Sequence, residues 1–165
     1  MKLSIIILNY NVTQWLRNCL LSIEKYVHDI DYEVIVIDNQ SPDSSWKDLI
    51  MEFPTVNFIE NSSNEGFAKA NNKAVKTAKG EYILLLNPDT ELEGNYMSEI
   101  LDFAEAQENL GCLGVRFHDL HGNFLPECKR SVPDVFNSFE KLFSPFQSKQ
   151  SSKKNYYRND IAETE

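Results

Sequence analysis

The sequence predicts an α/β protein whose predominantly parallel sheet is flanked by helices, and three observations carry that expectation. Apolar, β-branched runs at residues 3–8, 33–37 and 82–86 show little polar alternation, the pattern of strands buried on both faces. Segments of helical spacing separate these runs. Strand and helix alternate three times before residue 87, as right-handed crossovers between parallel strands require.

Each element has its own local reason. After the first strand, Thr13 is placed to cap a helix in which Leu16, Leu20 and Ile23 recur at helical spacing. Ser41-Pro42-Asp43-Ser44 turns the chain from the second strand into a short helix ending near Phe53. Residues 55–60 supply a third strand. A helix from about Gly66 follows, with Phe67, Ala70, Ala74 and Ala78 on one face and Gly80 where a C-terminal cap belongs. The fourth strand leads to a helix over 97–106, a strand near 112–117 and a hairpin turn at 119–123. The expected sheet order is 3-2-1-4. Beyond Ser144 the pattern fades, and residues 147–155 are mostly Ser, Lys and Gln. The expected organisation is therefore a domain over 1–143 and a flexible tail or truncated linker over 144–165.

With 165 residues, 42 % of them hydrophobic and 12 % aromatic, the chain has material for one sizeable core. A net charge of −9 argues against a nucleic-acid partner, which demands a surplus of Lys and Arg. Cys19, Cys112 and Cys128 are odd in number and widely spaced, which suits a reducing compartment. The apolar run at the N-terminus is too short for a signal peptide, and no stretch approaches the ~20 apolar residues of a membrane span. The expected location is cytoplasmic, with a peripheral position at the inner membrane face as the variant of that reading.

In an open parallel sheet, ligands bind outside the carboxyl ends of the strands. Here the exits are polar: Asn9-Tyr10-Asn11 after strand one, Asp38-Asn39 after strand two, Asn61 after strand three and Asn87-Pro88-Asp89 after strand four. Singly, such residues end strands and cap helices; four together point to a polar site. The loop after strand one contains no glycine, so it is not a dinucleotide-binding GxGxxG loop, and a GxxxxGK[ST] phosphate loop is absent. Phosphates must then be held by metal, by side chains or by the helix N-terminus at Gly66. Asp89, with Glu91 and Glu93 nearby, offers the hard oxygen ligands that Mg²⁺ or Mn²⁺ prefers. A bound cation would also offset the charge of an anionic ligand on an acidic protein. By spacing alone, a turn and cap role for Asp89 is equally supported. His118 and His121, flanked by Cys112 and Cys128, read as hairpin residues facing water rather than as a zinc site, and Trp15 and Phe67 read as core contacts.

Four motifs, taken in order, resemble the family 2 glycosyltransferases of the GT-A (Rossmann-like) fold, and in particular their rhamnosyltransferase-like branch. They are Ser4 to Asn11, Val36-Ile37-Asp38-Asn39-Gln40-Ser41, Asn64-Glu65-Gly66-Phe67 through Asn72, and Leu85-Leu86-Asn87-Pro88-Asp89-Thr90. Arg130-Ser131-Val132-Pro133 also resembles that branch. The resemblance implies transfer of a sugar, with inversion, from a metal-bound nucleoside-diphosphate sugar to the hydroxyl of a glycan or lipid-linked acceptor in polysaccharide biosynthesis. It implies that Asn9 and Tyr10 line the nucleoside pocket, that Asp38 accepts a hydrogen bond from base or ribose, and that Asn64 and Asn71 shape the donor pocket. Asn11, Asn39, Gly66 and Asn87 complete the substrate-binding set. Asp89 would bind Mn²⁺ or Mg²⁺ at the DXD position, where Asn87 replaces the first carboxylate.

The general base of the resembled family lies in a second half of the domain. Asp134, Glu140 and Asp160 do not sit in its motif, so the chain reads as the donor-binding portion, with the base absent and activity weak or nil. Sheet surface left uncovered would favour a homo-oligomer. The rival readings are a nonenzymatic nucleotide-sugar-binding module and a nucleotidyltransferase, the latter disfavoured by the glycine-free first loop.

Overall fold

A computed structural model of the chain describes residues 1–115 and His121. Two compact units divide it, Met1–Glu108 and Asn109–Glu165. The first contains the elements β1 (Leu3–Asn9), α1 (Thr13–Tyr26), β2 (Tyr32–Asp38), a 3₁₀ turn (Ser45–Lys47), α2 (Asp48–Glu52), β3 (Asn57–Glu60), α3 (Phe67–Val75), β4 (Tyr82–Leu86) and α4 (Met97–Glu105). The four strands form one sheet in the order β3-β2-β1-β4, and every pairing is parallel. This is the sheet order expected from the sequence.

The central strands β1 and β2 are continuous apolar runs because both of their faces are covered, whereas β4 leaves Ile83 and Leu85 exposed on one face. On one face, Leu3, Ile5 and Ile7 of β1 and Val34 and Val36 of β2 pack with α1, α2 and α4 through Leu16, Leu20, Leu49, Phe53 and Leu101. On the other, Ile6, Ile35 and Ile37 pack against Ala70 and Ala74 of α3. Small alanines let α3 approach the sheet closely, so a larger residue there would force it away. Truncating a fully buried residue such as Ile5 would cost about 2–5 kcal/mol through lost contacts and the cavity left behind.

Several local expectations are corrected. Thr13 is the first residue of α1 and not its cap; Val12 precedes the helix without a side-chain cap bond, and the Thr13 hydroxyl instead accepts from that of Ser45 at 2.8 Å. β3 begins at Asn57, two residues later than the apolar pattern suggests. α3 ends at Val75 and is capped by Lys76. Gly80 therefore caps no helix. It lies where a Cβ would collide with the Leu3–Ser4 backbone, and its N–H donates to the Ser4 hydroxyl at 2.8 Å. Trp15 and Phe67 are not core residues: they are 54 % and 61 % exposed, each in the first turn of its helix. Residues 112–115 form no strand. The remainder of the expected 112–117 strand, the 119–123 turn apart from His121, the 130–133 segment, Asp134, Glu140, Asp160 and the 144–165 tail lie outside the described residues.

Candidate functional site

The carboxyl edge of the sheet is built by extending the strand ladder past the strands. The Asn39 N–H donates to the Asn9 carbonyl and the Asn61 N–H to the Asp38 carbonyl, both at 2.9 Å. Both exits then turn sharply: Asn11 and Gln40 hold positive φ, at 58° and 61°. Non-glycine residues adopt this conformation at a cost that surrounding contacts must offset.

Those contacts centre on Asp38. Asn9 Nδ2 donates to Asp38 Oδ1 at 2.7 Å. The Ser41 hydroxyl donates to the same oxygen at 2.6 Å, and the Ser41 N–H donates to Oδ2 at 2.9 Å. Ser41 Oγ in turn accepts from the Asn11 N–H at 2.8 Å and from Asn9 Nδ2 at 3.3 Å. One carboxylate and one hydroxyl thus bind the exits of β1 and β2 together. Asn9 is fully buried and Asp38 is 1 % exposed. Asn9 Oδ1 has no hydrogen-bond partner, an acceptor left for a ligand or an ordered water. The sequence places Ser41 in a turn and in a motif, without a role at the site, although its position three residues after Asp38 is the signature of a side-chain-closed turn.

A second network joins the exits of β2 and β3 to the start of α3. Asn61 Nδ2 donates to Asn39 Oδ1 at 3.2 Å, which also accepts from the Glu65 N–H at 2.9 Å. Asn39 Nδ2 donates to Asn64 Oδ1 at 2.8 Å, which also accepts from the Gly66 N–H at 3.0 Å. Lys73 Nζ donates to Asn61 Oδ1, a contact that the sequence reading did not foresee. Gly66 adopts φ 75° and ψ 172° ahead of α3, a conformation essentially restricted to glycine. Asn71 is buried and turned back within α3, its Nδ2 donating to the Phe67 carbonyl at 2.9 Å.

β4 pairs with β1 up to Ile7–Leu86, so Asn87-Pro88-Asp89 leaves the sheet beside the exit of β1. Asn87 and Asp89 are exposed. Among the described residues, Asp89 takes no hydrogen bond and no ion pair, which leaves both carboxylate oxygens free. Burial, with the nearby charges of Asp89 and Glu91 adding to it, pushes the Cys19 thiol up to about 12. Among the described residues, no three His, Cys, Asp or Glu side chains gather into a metal cluster. A divalent ion at this edge would have one protein carboxylate, Asp89, and would need the remaining oxygens from its ligand and water, as Mg²⁺ takes them beside phosphates. Tyr10 stands exposed at the rim. The structure brings Asn9, Asn11 and Asp38 into one network and Asn39, Asn64 and Gly66 into a second, with Asn87 and Asp89 beside them at the same edge and in hydrogen-bond contact with neither.

The sequence profile of "Glycosyl transferase family 2" matches residues 4–159. The chain belongs to this family. Its sheet order and flanking helices are those of the GT-A fold. A poly(ribitol-phosphate) beta-glucosyltransferase of Bacillus spizizenii is 32 % identical over 142 residues, covering 82 % of this chain and 22 % of that protein. A teichoic acid poly(glycerol phosphate) polymerase of Staphylococcus epidermidis is 28 % identical over 164 residues, covering 97 % of this chain and 22 % of the polymerase. Among solved structures, S. aureus TarS 1-349 in complex with UDP superposes with a TM-score of 0.57 at 25 % identity, covering 64 % of this chain and 32 % of that one. The same protein has been crystallised with UDP-GlcNAc. The chain thus spans a third or less of the length of these relatives.

Proposed function

We propose that this chain carries the donor-binding part of an inverting family 2 glycosyltransferase, taking a uridine-diphosphate sugar with a divalent cation at Asp89 and serving the synthesis of a cell-surface polymer. The observation that carries the reading is the carboxyl edge itself: the Asn9–Asp38–Ser41 network rigidifies two strand exits, and the unpartnered Asp89 leaves a third exit beside them. The UDP and UDP-GlcNAc complexes of the TarS relative support the nucleotide, and the names of the two polymer-synthesising relatives support the pathway class. The rhamnosyltransferase-like affinity rests on the sequence motifs alone.

In this reading Tyr10 packs on the base and Asn9 orients the nucleoside. Asp38 is already engaged by Asn9 and Ser41, so its main contribution is to hold the pocket in shape, with a remaining lone pair on Oδ2 for base or ribose. Asn64, Gly66 and Asn71 shape the donor side through the start of α3, and Asn87 offers an amide oxygen. The cation, when bound, stabilises charge on the departing diphosphate as a Lewis acid. Inversion needs a carboxylate to take the acceptor proton, and we assign that role to none of the described carboxylates. No described helix is long and apolar enough to cross a membrane.

Calorimetric titration with UDP, with and without Mn²⁺, tests the reading. UDP should bind in both conditions and more tightly with the metal, and Asp89→Ala should abolish the enhancement while retaining metal-free binding. Equal affinity of parent and variant under both conditions would leave Asp89 as a turn residue.

A further inference from the structure

One turn of α1 faces the loop after β4: Cys19 and Leu92 meet in the core cluster, and a set of polar contacts is added to that packing. The Ser22 hydroxyl donates to the Cys19 carbonyl at 2.7 Å and accepts from the Leu92 N–H at 3.0 Å. Asn18 Nδ2 donates to Glu91 Oε1 at 3.0 Å. Cys19 Sγ lies 3.8 Å from the Asn87 carbonyl, which also accepts from the Thr90 N–H at 3.1 Å. Residues 18, 19 and 22 share one face of a helix, and they grip the loop after β4 on both sides of Asp89. That carboxylate has no hydrogen bond of its own among the described residues, so its direction is inherited from the loop.

Ser22 is the informative residue. It is buried in the middle of α1, where a serine is a poorer helix former than alanine and competes for backbone hydrogen bonds. Alanine would pack there as well. What the hydroxyl adds is an acceptor for the Leu92 N–H.

We propose that Asn18 and Ser22 are positioning residues for the divalent ion, acting on Asp89 by fixing the loop of residues 87–92 against α1 without touching the donor. This inference rests on the donor-site reading above. Groups hydrogen-bonded directly to a metal ligand are typically worth about 10–100-fold in metal affinity. Asn18 and Ser22, acting through Glu91 and Leu92 two and three residues away, should reach the lower end of that range.

The test is calorimetry of UDP with and without Mn²⁺ on the full chain, comparing the parent with Asn18→Ala, Ser22→Ala and Ser22→Thr, each checked for folding by circular dichroism. Direct Mn²⁺ titration in the presence of UDP, read by the paramagnetic resonance of the free ion, gives a second readout. Asn18→Ala and Ser22→Ala should leave metal-free UDP affinity within about twofold, while their Mn²⁺ affinity falls roughly 10-fold. Ser22→Thr, which keeps the hydroxyl, should retain the parent's Mn²⁺ affinity. A parent that shows no Mn²⁺ enhancement overturns the metal reading itself. A parent that shows it, with folded variants that keep it in full, overturns the inference and leaves the reading standing. Equal losses with and without metal would mean general loosening and would also overturn it. Should Ser22→Ala fail to fold, the Asn18–Glu91 bond is exposed and Asn18→Ala decides the matter.

Discussion

At the scale of single residues, the site is organised by groups that are themselves hidden. Asp38 accepts from Asn9 and from both donors of Ser41, so a buried charge is offset by hydrogen bonds rather than by a cation. Cys19 shows the opposite case, a buried thiol with acidic neighbours that keep it protonated. Its value of about 12 in the fold stands above the 9.0 of an unperturbed thiol. Below pH 9 the thiol is neutral in both folded and unfolded chains and contributes no slope. Between 9 and 12 the unfolded chain loses the proton while the folded one keeps it, so stability falls as pH rises through that window. Urea denaturation from pH 8 to 11 should show a decline that is shallower in Cys19→Ala; parallel pH profiles would mean that the thiol ionises equally in both states.

At the scale of elements, the placement of α3 depends on the amide chain Asn61–Asn39–Asn64 and on one backbone conformation. A Cβ at Gly66 would meet no atom, yet its φ of 75° makes any other residue strained. Gly66→Ala should therefore cost about 1–3 kcal/mol through the backbone alone, and it should weaken UDP binding if the segment relaxes away from the edge. Thermal unfolding and calorimetry read the two effects, and an unchanged melting temperature would show that the turn tolerates a side chain. The four lysines and absent acids of residues 66–80 add a local positive field on a chain of net charge −9. Three of them, Lys69, Lys73 and Lys76, line a groove of about 560 Å³ along α3. Glu65 lines the same groove and pairs with Lys69 at 3.3 Å, so part of that positive charge is offset within the groove itself.

At the scale of the molecule, the sheet was legible because parallel strands buried on both faces must be written as apolar runs, and their exits then stand out as polar. The rim positions of Asn9, Asp38 and Asn87-Pro88-Asp89 followed from that pattern, whereas the order of the strands is not encoded in it. Trp15 and Phe67 were misread because residue type signals burial only on average, and the first turn of a helix at the carboxyl edge projects beyond the sheet. Thr13 and Gly80 have cap-like chemistry but take part in tertiary contacts, with Ser45 and with the β1 backbone, that no local spacing encodes. Ser41, Lys73 and the α1 residues facing the 87–92 loop were hidden for the same reason, since their partners are distant in the chain.

The sheet order has a consequence for how the edge opens. β1 meets β2 through Leu3–Tyr32 and meets β4 through Leu3–Tyr82, so β4 closes much the longest loop of the sheet. The loop-closure difference from the shorter pairings is about 1 kcal/mol. Among the described residues β4 is paired on one side only, with Leu85 half exposed. β3, at the opposite edge, is likewise paired on one side only among these residues, so amide hydrogen exchange should be slowest in the central strands β1 and β2 and faster at the edges, β4 included. Because Asp89 leaves from that strand, UDP with Mn²⁺ should slow exchange in β4 more than in β2, by up to about 2.7 kcal/mol at a hundredfold excess over the dissociation constant. Uniform protection across the sheet would show that the edge does not open by itself. If the gradient holds, the strand that carries Asp89 to the edge frays on its own in the empty protein, and part of any binding free energy is spent on closing it.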